Sequence, residues 1–233
     1  MEGEKIKQFL KSVLEKYISE VLVIFIGISI SFFFDEWREN RQDKETMKKH
    51  LAVLRANLVQ DTTQLTFMIH FGNGIVRNID KLAYFRQDSE ITDSIDLYID
   101  NAASYLVFKP NLIAYEEIKQ SAHTNLIEND SLKTLFLYHY TSTLQNCLEW
   151  CKVDETHTMT QLIPEMTIYF PVVADSLNKV SPSEKAGALK GKKLRNLLLA
   201  NSTYKKVTIQ FLNITKKSTK ALLKKVDEEL EED

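Results

Sequence analysis

The chain has 233 residues, of which only six are Gly and four are Pro. These two residue types make up about 4% of the chain, against roughly 12% in an ordinary soluble protein, so long stretches contain nothing that would interrupt a helix. Hydrophobic residues at 44% and charged residues at 27% exclude a disordered tail, a collagen-like rod and a polytopic membrane protein. The net charge of −2 gives no overall field that would attract nucleic acid.

The strongest local pattern is an uncharged apolar run, VLVIFIGISISFFF, at residues 21–34. As a helix this run is about 21 Å long, which is short for the hydrocarbon core of a bilayer. Tyr17 and Trp37 flank the run about 30 Å apart along a helix, and both residue types favour the membrane interface. We therefore predict a basic N-terminal tail at 1–16, a single transmembrane helix at 17–37 and a soluble α-helical domain at 38–233.

Two alternatives to a transmembrane anchor are a cleaved signal peptide and a buried core helix. The sequence after the run, SFFFDEWRENR, contains no small-x-small cleavage site, which favours an uncleaved anchor. Basic residues flank the run on both sides in similar numbers, so the positive-inside rule does not decide its orientation. We expect the short tail to stay inside and the larger domain to be exported.

One stripe of the predicted span carries Glu20, Gly27 and Ser31. Gly27 and Ser31 form a small-xxx-small pair, which lets a second helix approach closely, so we predict that two spans contact each other there. A carboxylate at the depth of Glu20 costs free energy unless it reaches the headgroups, is protonated or has a partner. Two interpretations stay open: Glu20 is an ion or proton site, or it reaches the near interface and binds water or Lys16.

Helical spacing dominates the rest of the chain. No turn signal follows the apolar run, and a seam of regularly spaced apolar residues comes next: Met47, Leu51, Leu54, Leu58, Leu65 and Met68. Gly72 and Gly74 predict a kink or turn, after which helical spacing resumes at Ile75. The fold class is therefore predicted as all-α, with a transmembrane helix that continues into a long helix of a soluble bundle.

Further helices are predicted within 91–108, where Pro110 would stop the helix, and at 113–120. A longer helix is predicted from Ser131 to Leu162, capped by Asn129 or Asp130. Pro164 and Pro171 are expected to interrupt the chain after it. The segment at about 181–192 is rich in Ser, Pro, Gly and Lys and is predicted as a mobile loop, and a last helix is predicted from about Thr203.

Two stretches resemble an uncharacterised membrane-protein family that is common in Bacteroidota. YISEVLVIFIGISISFFFDEWRENR is similar to the amino-terminal signature of that family, with Glu20, Gly27 and Trp37 at the matching spacings. AYEEIKQSAHTNLIEN is similar to a second pattern of the same family. The positions placed on that pattern are Tyr115, Glu116, Glu117, Lys119, Ser121, Leu126, Ile127 and Asn129.

The chain departs from this family at several positions. Ser19 and His123 stand where the family usually has Gly, and Asp35 and Glu36 replace two asparagines before Trp37. The resemblance implies a single-pass protein of a bacterial inner membrane with a helical soluble domain. It implies no activity, because the family itself has no assigned function.

No pattern of catalytic residues stands out in the sequence. Cys147 and Cys151 lie four positions apart with Asp154 and His157 beyond, but the spacing is not that of a zinc knuckle, so we interpret the cysteines as buried small hydrophobes. The five histidines are scattered, and none is paired in the sequence with a recognisable nucleophile. We therefore predict no cofactor, no metal site and no catalytic residue.

A recognition surface is one interpretation of Tyr115, Glu116, Glu117 and Asn129. The two glutamates are equally explained by the positive end of a helix dipole, and both explanations stay open. The lysines near the C-terminus lack interleaved aromatic residues, so they indicate a solvated face and no nucleic-acid binding.

The function predicted from these patterns is that of a membrane-anchored helical scaffold or accessory subunit with no catalysis of its own. Such a protein would bind the lipid bilayer, self-associate as a homo-oligomer and hold another membrane or envelope protein. The first alternative is a subunit of an ion-conducting or proton-driven assembly that uses Glu20. A membrane-anchored enzyme of unknown class is the weaker alternative.

Overall fold

A computed structural model describes residues 2–85, 94–120, 123–170 and 180–231, apart from the side chains of 2–16, Ser19, His123 and Pro182. All regular structure in these ranges is helical, which confirms the all-α fold class. The chain divides into two units, Met1–Lys49 and His50–Asp233. The sequence predicts a loop at residues 86–89; that segment and Pro171 lie outside the described residues.

The described part of the chain contains eight α-helices, two π-helical turns and one 3₁₀ turn. The α-helices are α1 (Glu2–Ala83), α2 (Ser94–Ala102), α3 (Ile113–Gln120), α4 (Asp130–Tyr138), α5 (Leu144–His157), α6 (Ile163–Tyr169), α7 (Pro182–Leu189) and α8 (Lys192–Glu231). Two π-helical turns, π1 (His139–Thr143) and π2 (Thr158–Leu162), join α4 to α5 and α5 to α6, and a 3₁₀ turn covers His123–Leu126. Within His50–Asp233, α8 packs along α4, π1, α5 and π2.

A kink or turn is predicted at Gly72 and Gly74, and the turn is wrong, because α1 continues through both residues to Ala83. A Cβ atom on Gly72 would lie 3.0 Å from Cδ1 of Leu106 and 3.1 Å from Cδ1 of Ile209. The small size of Gly72 therefore allows close packing of Leu106 and Ile209 against α1. The six apolar residues of the predicted seam, Met47 to Met68, are all buried.

The helix predicted within 91–108 is shorter than expected. α2 ends at Ala102, and residues 104–112 form no regular structure although Leu106 and Phe108 in this segment are buried. Pro110 therefore does not end the helix. A non-helical segment in a helical core needs hydrogen-bond acceptors for its backbone N–H groups, and side chains of other elements supply them.

The long helix predicted from Ser131 to Leu162 contains two π-helical turns and continues to Tyr169. Asn129 caps it as expected, since its Oδ1 accepts from the N–H groups of Ser131 and Leu132 at 3.1 Å. Pro164 does not interrupt it. In π2 the N–H of Ile163 donates to the carbonyl of Thr158, five residues back, and this widened turn accommodates the proline that follows.

The segment predicted as a loop at about 181–192 is mostly the helix α7. Ser181 and Glu184 form a capping box: the Ser181 hydroxyl accepts from the Glu184 N–H at 3.3 Å, and the Ser181 N–H donates to the Glu184 carboxylate at 2.9 Å. α8 begins at Lys192, well before the predicted start at Thr203, and buries Leu194 and Leu198 in its first turns.

Candidate functional site

The apolar run of α1 is exposed on every side of the helix. Its large side chains between Val21 and Phe34 are each 50–70% exposed, and the flanking Tyr17 and Trp37 are exposed as well. Arg41 places its guanidinium 5.9 Å from the Trp37 ring. No helix in the described part of the chain combines the length and the apolar character needed to cross a bilayer.

The predicted helix-contact residues lie on this exposed surface. The Ser31 hydroxyl donates to the carbonyl oxygen of Gly27 at 3.0 Å, so its one donor is used within the helix. A Cβ atom added to Gly27 would have no atom within 4 Å. Glu20 is exposed, and the side chain of Lys16, its predicted partner, lies outside the described residues. The position of Gly27 therefore stays open to another helix.

The residues of the predicted recognition surface make contacts within the bundle. The Tyr115 ring stacks on Tyr140 with centroids 4.3 Å apart. The Glu117 carboxylate lies 3.4 Å from Nδ1 of His50. Asn129 caps α4 and also donates to Glu229 at 3.1 Å. Glu116 lies in the first turn of α3, where a carboxylate is favoured by the helix dipole. Each has a structural role, and a recognition role stays a prediction.

The sequence did not reveal a buried ion pair between Asp154 of α5 and Lys205 of α8. Oδ1 of Asp154 lies 2.6 Å from Nζ of Lys205, and both side chains are fully buried. Lys205 also donates to Thr158 at 3.4 Å, and Thr158 donates to Asn201 at 3.3 Å. Burial lowers the pKa of Lys205, while the neighbouring Asp154 carboxylate opposes that effect.

The 104–112 segment depends on two carboxylates for its backbone hydrogen bonds. Asp154 accepts from the N–H of Leu106 at 2.9 Å through its second oxygen, and Asp61 of α1 accepts from the N–H of Asn111 at 2.9 Å. One sequence signal pointed to Asp61, which interrupts the apolar rhythm of the seam. Asp154 likewise occupies an apolar phase of its helix after Cys147 and Cys151.

The π1 turn brings together a histidine and a serine that are distant in sequence. Nδ1 of His139 lies 2.9 Å from the Ser218 hydroxyl. His139 is only 1% exposed, and burial lowers its pKa to about 4. An imidazole that is neutral and shielded from solvent cannot act on an external substrate, so this pair contributes to packing of π1 against α8.

The two cysteines are buried, as predicted. A hydrogen bond between the two thiols lowers the pKa of Cys147 and raises that of Cys151. Over the described residues, no group of three or more His, Cys, Asp or Glu side chains has an arrangement that would hold a metal ion.

The resemblance to the Bacteroidota family stays a prediction from the residues that carry it. No protein-family model, curated protein or solved structure matches this chain.

Proposed function

We propose that this protein is a helical scaffold held in a lipid bilayer by residues 17–37, without catalytic activity of its own. Its 50–233 region serves as a rigid helical body that holds another membrane or envelope protein. By the family resemblance, the membrane is a bacterial inner membrane. The bundle is assigned to the periplasmic side because we expect the short basic tail to stay inside.

The observation that carries the proposal is the exposure of the apolar run. Each of its valine, leucine, isoleucine and phenylalanine side chains is at least half exposed. Removing them from water would contribute on the order of 10 kcal/mol or more, which is comparable to the whole stability of a domain. A surface of this size requires an apolar environment.

Lipid fits this surface better than a single protein groove does. The apolar residues surround the helix, whereas a helix that docks in one groove carries a polar face as well. The Ser31 hydroxyl is bonded back to Gly27, as a serine at membrane depth requires. Tyr17 and Trp37 extend the short uncharged run to about 30 Å, the thickness of the hydrocarbon core.

The proposed role as a scaffold is supported by how the bundle uses its polar groups. The buried charges of Asp154 and Lys205 are paired with each other and shielded from solvent. His139 is paired with Ser218 and buried. These groups stabilise the helical body and are not available to a substrate.

Vesicle flotation of the full chain tests the membrane anchor. Purified protein is reconstituted from detergent into phosphatidylcholine vesicles and centrifuged through a density gradient after a carbonate wash. The wild type should float with the lipid, and the double variant Ile24→Asp, Ile28→Asp should stay in the dense fraction. The matched control is Phe67→Asp, Phe71→Asp, which removes two exposed apolar residues of α1 outside the apolar run and should float. A variant of the apolar run that floats like the wild type contradicts the proposal.

Self-association through Gly27 is tested separately. Since a Cβ at Gly27 meets nothing in its own chain, Gly27→Ile leaves the protomer unchanged and affects only contacts between chains. Light scattering in detergent should show a smaller oligomer for Gly27→Ile. Ser29→Ile, which enlarges a small residue on the opposite side of the helix, should keep the wild-type mass. An unchanged mass for Gly27→Ile removes this contact from the proposal and leaves the anchor untouched.

A further inference from the structure

Asp61 and Asp154 both hold the backbone of the 104–112 segment, but their surroundings differ. Each carboxylate accepts a hydrogen bond from the backbone of the 104–112 segment, at Asn111 and at Leu106 respectively. Asp154 has the Lys205 ammonium at 2.6 Å. Asp61 is 3% exposed, and no ammonium or guanidinium group of the described residues lies within 4 Å of it. The end of the segment next to α3 is therefore held by a buried carboxylate without a counter-ion.

The surroundings of Asp61 contain polar atoms that lack partners. The Tyr140 hydroxyl of π1 and Nδ2 of Asn57, one turn earlier in α1, are buried without a hydrogen bond among the described residues. Tyr115 of α3 stacks on Tyr140. Burial raises the pKa of Tyr140, and the charges of Asp61 and Tyr115 add to this effect. Asp61 thus lies in a buried cluster of uncharged polar groups, where desolvation disfavours the charged carboxylate.

The attachment of Asn111 fixes where α3 begins. Pro110 precedes this residue, and the Asn111 side chain accepts from the N–H of Ile113 at 3.2 Å, in the first turn of α3. Its amide also donates to Gln60 at 3.3 Å. A change at Asp61 therefore acts on the start of α3 as well as on the segment itself.

We propose that Asp61 is a proton-responsive clasp between α1 and the start of α3. With a proton bound, the carboxyl group is neutral and the Asn111 end of the segment stays closed on α1. When the proton leaves, the uncompensated buried charge favours opening of this end, which lets water reach the carboxylate. The Leu106 end stays closed in both states because Asp154 has its own counter-ion. This inference is independent of the membrane anchor.

The sign of the effect follows from the two states of the carboxyl group. Burial raises the pKa of Asp61 to about 6 in the closed state, although the bond from Asn111 lowers it, and exposure on opening returns it to the ordinary value near 3.8. The closed state therefore binds the proton more tightly, and the opening equilibrium increases as pH rises from about 4 to about 6. Between pH 5 and 7.5 the expected increase is about tenfold.

The pH effect of Asp61 can be distinguished experimentally from the effects of neighbouring titratable groups. The Glu117 carboxylate of α3 lies 3.4 Å from Nδ1 of His50 of α1, so a second contact between these two helices also contains a titratable group. His139, next to Tyr140, has a pKa near 4 and is neutral over most of this range. The experiment therefore needs a His50 variant as a control.

The test is native-state hydrogen exchange of the full chain in detergent micelles between pH 5 and 7.5, corrected for intrinsic exchange rates. In the wild type, the opening constant of amides 111–118 should increase about tenfold, whereas the Leu106 amide should change little. Asp61→Asn should abolish the increase, and His50→Gln and the exposed-site control Glu149→Gln should retain it. A slope that persists in Asp61→Asn, or disappears in His50→Gln, overturns the proposal.

A second measurement keeps the proposal testable if Asp61→Asn does not fold. The side-chain carboxyl carbons of aspartate are followed by NMR in the wild-type chain. One carboxyl group should titrate with a midpoint near 6, and perturbation of that signal by Tyr140→Phe assigns it to this cluster. If every aspartate titrates below about 4.5, Asp61 is charged in the closed state and the clasp does not exist.

Discussion

Asp154 and Lys205 form a fully buried ion pair, with the carboxylate oxygen 2.6 Å from the ammonium nitrogen. The pair joins α5 to α8, and the second oxygen of Asp154 holds the backbone of Leu106. Removing one member leaves an uncompensated charge in the core, which costs more free energy than the intact pair contributes.

Lys205→Met should therefore lower the free energy of unfolding by about 3–5 kcal/mol, because the Asp154 charge loses its counter-ion. Chemical denaturation of the detergent-solubilised chain measures this change. Addition of Asp154→Asn to Lys205→Met should recover part of the loss. The neighbouring Lys206→Met removes only a partly exposed pair with Asp80 and should cost less than about 1 kcal/mol. Equal costs for the two lysines would show that the buried pair is not as described.

His139 should make the bundle sensitive to acid. Burial lowers its pKa to about 4 from an ordinary value of 6.5, so the folded state favours the neutral imidazole. The stability that follows from this is fully present above pH 6.5 and is lost as the pH falls through 4, by about 3 kcal/mol at the limit. His139→Gln should remove this contribution. Denaturation midpoints of both proteins between pH 4 and 7 measure it, and parallel pH profiles would contradict it.

His139 and Asp61 should change the free energy of unfolding in opposite directions as the pH rises. Between pH 4 and 6, ionisation of Asp61 destabilises the fold as the pH rises, while loss of the His139 proton stabilises it. The two effects largely offset each other in wild-type unfolding. The single variants Asp61→Asn and His139→Gln should therefore show pH slopes of opposite sign in that range, and slopes of the same sign would exclude this balance.

Gly72 and Gly187 provide a matched pair of glycine substitutions. Both lie within helices, where alanine is favoured over glycine by about 1 kcal/mol. Gly187→Ala has open space around the new Cβ and should raise the free energy of unfolding by up to about 1 kcal/mol. Gly72→Ala has the same advantage in helix preference, but it forces Leu106 and Ile209 to move. The net result should be a free energy of unfolding lower by about 1 kcal/mol. Thermal unfolding of the two variants checks the difference, and a stabilising Gly72→Ala would exclude the packing role.

The sequence predicts those parts of the fold that depend on neighbouring residues. The seam from Met47 to Met68 and the cap at Asn129 are predictable from the sequence, because helical periodicity and capping depend only on residues a few positions apart. The start of α7 is also predictable from the sequence, because Ser181 and Glu184 have the spacing of a capping box. The Gly, Pro and Ser content of the segment favours a loop instead and outweighs this signal.

The missed features depend on residues that are distant in sequence. Whether Gly72 makes a turn or a close contact depends on Leu106 and Ile209. The apolar phase of Asp154 indicates burial, but nothing local identifies its partner, because Lys205 lies 51 residues away. The widened turn before Pro164 inserts a residue into the helical rhythm, so periodicity alone does not predict that the helix continues.

The depth of residue 28 in a bilayer tests the central claim most directly. Ile28 lies near the midpoint between Tyr17 and Trp37. In a chain that carries Ile28→Trp with Trp37→Phe and Trp150→Phe, the single tryptophan reports its depth through quenching by brominated lipids. The proposed span predicts stronger quenching by bromines deep in the acyl chains than by bromines near the headgroups, and little quenching by aqueous iodide. Strong iodide quenching with no effect of brominated lipid would contradict a membrane anchor at this segment.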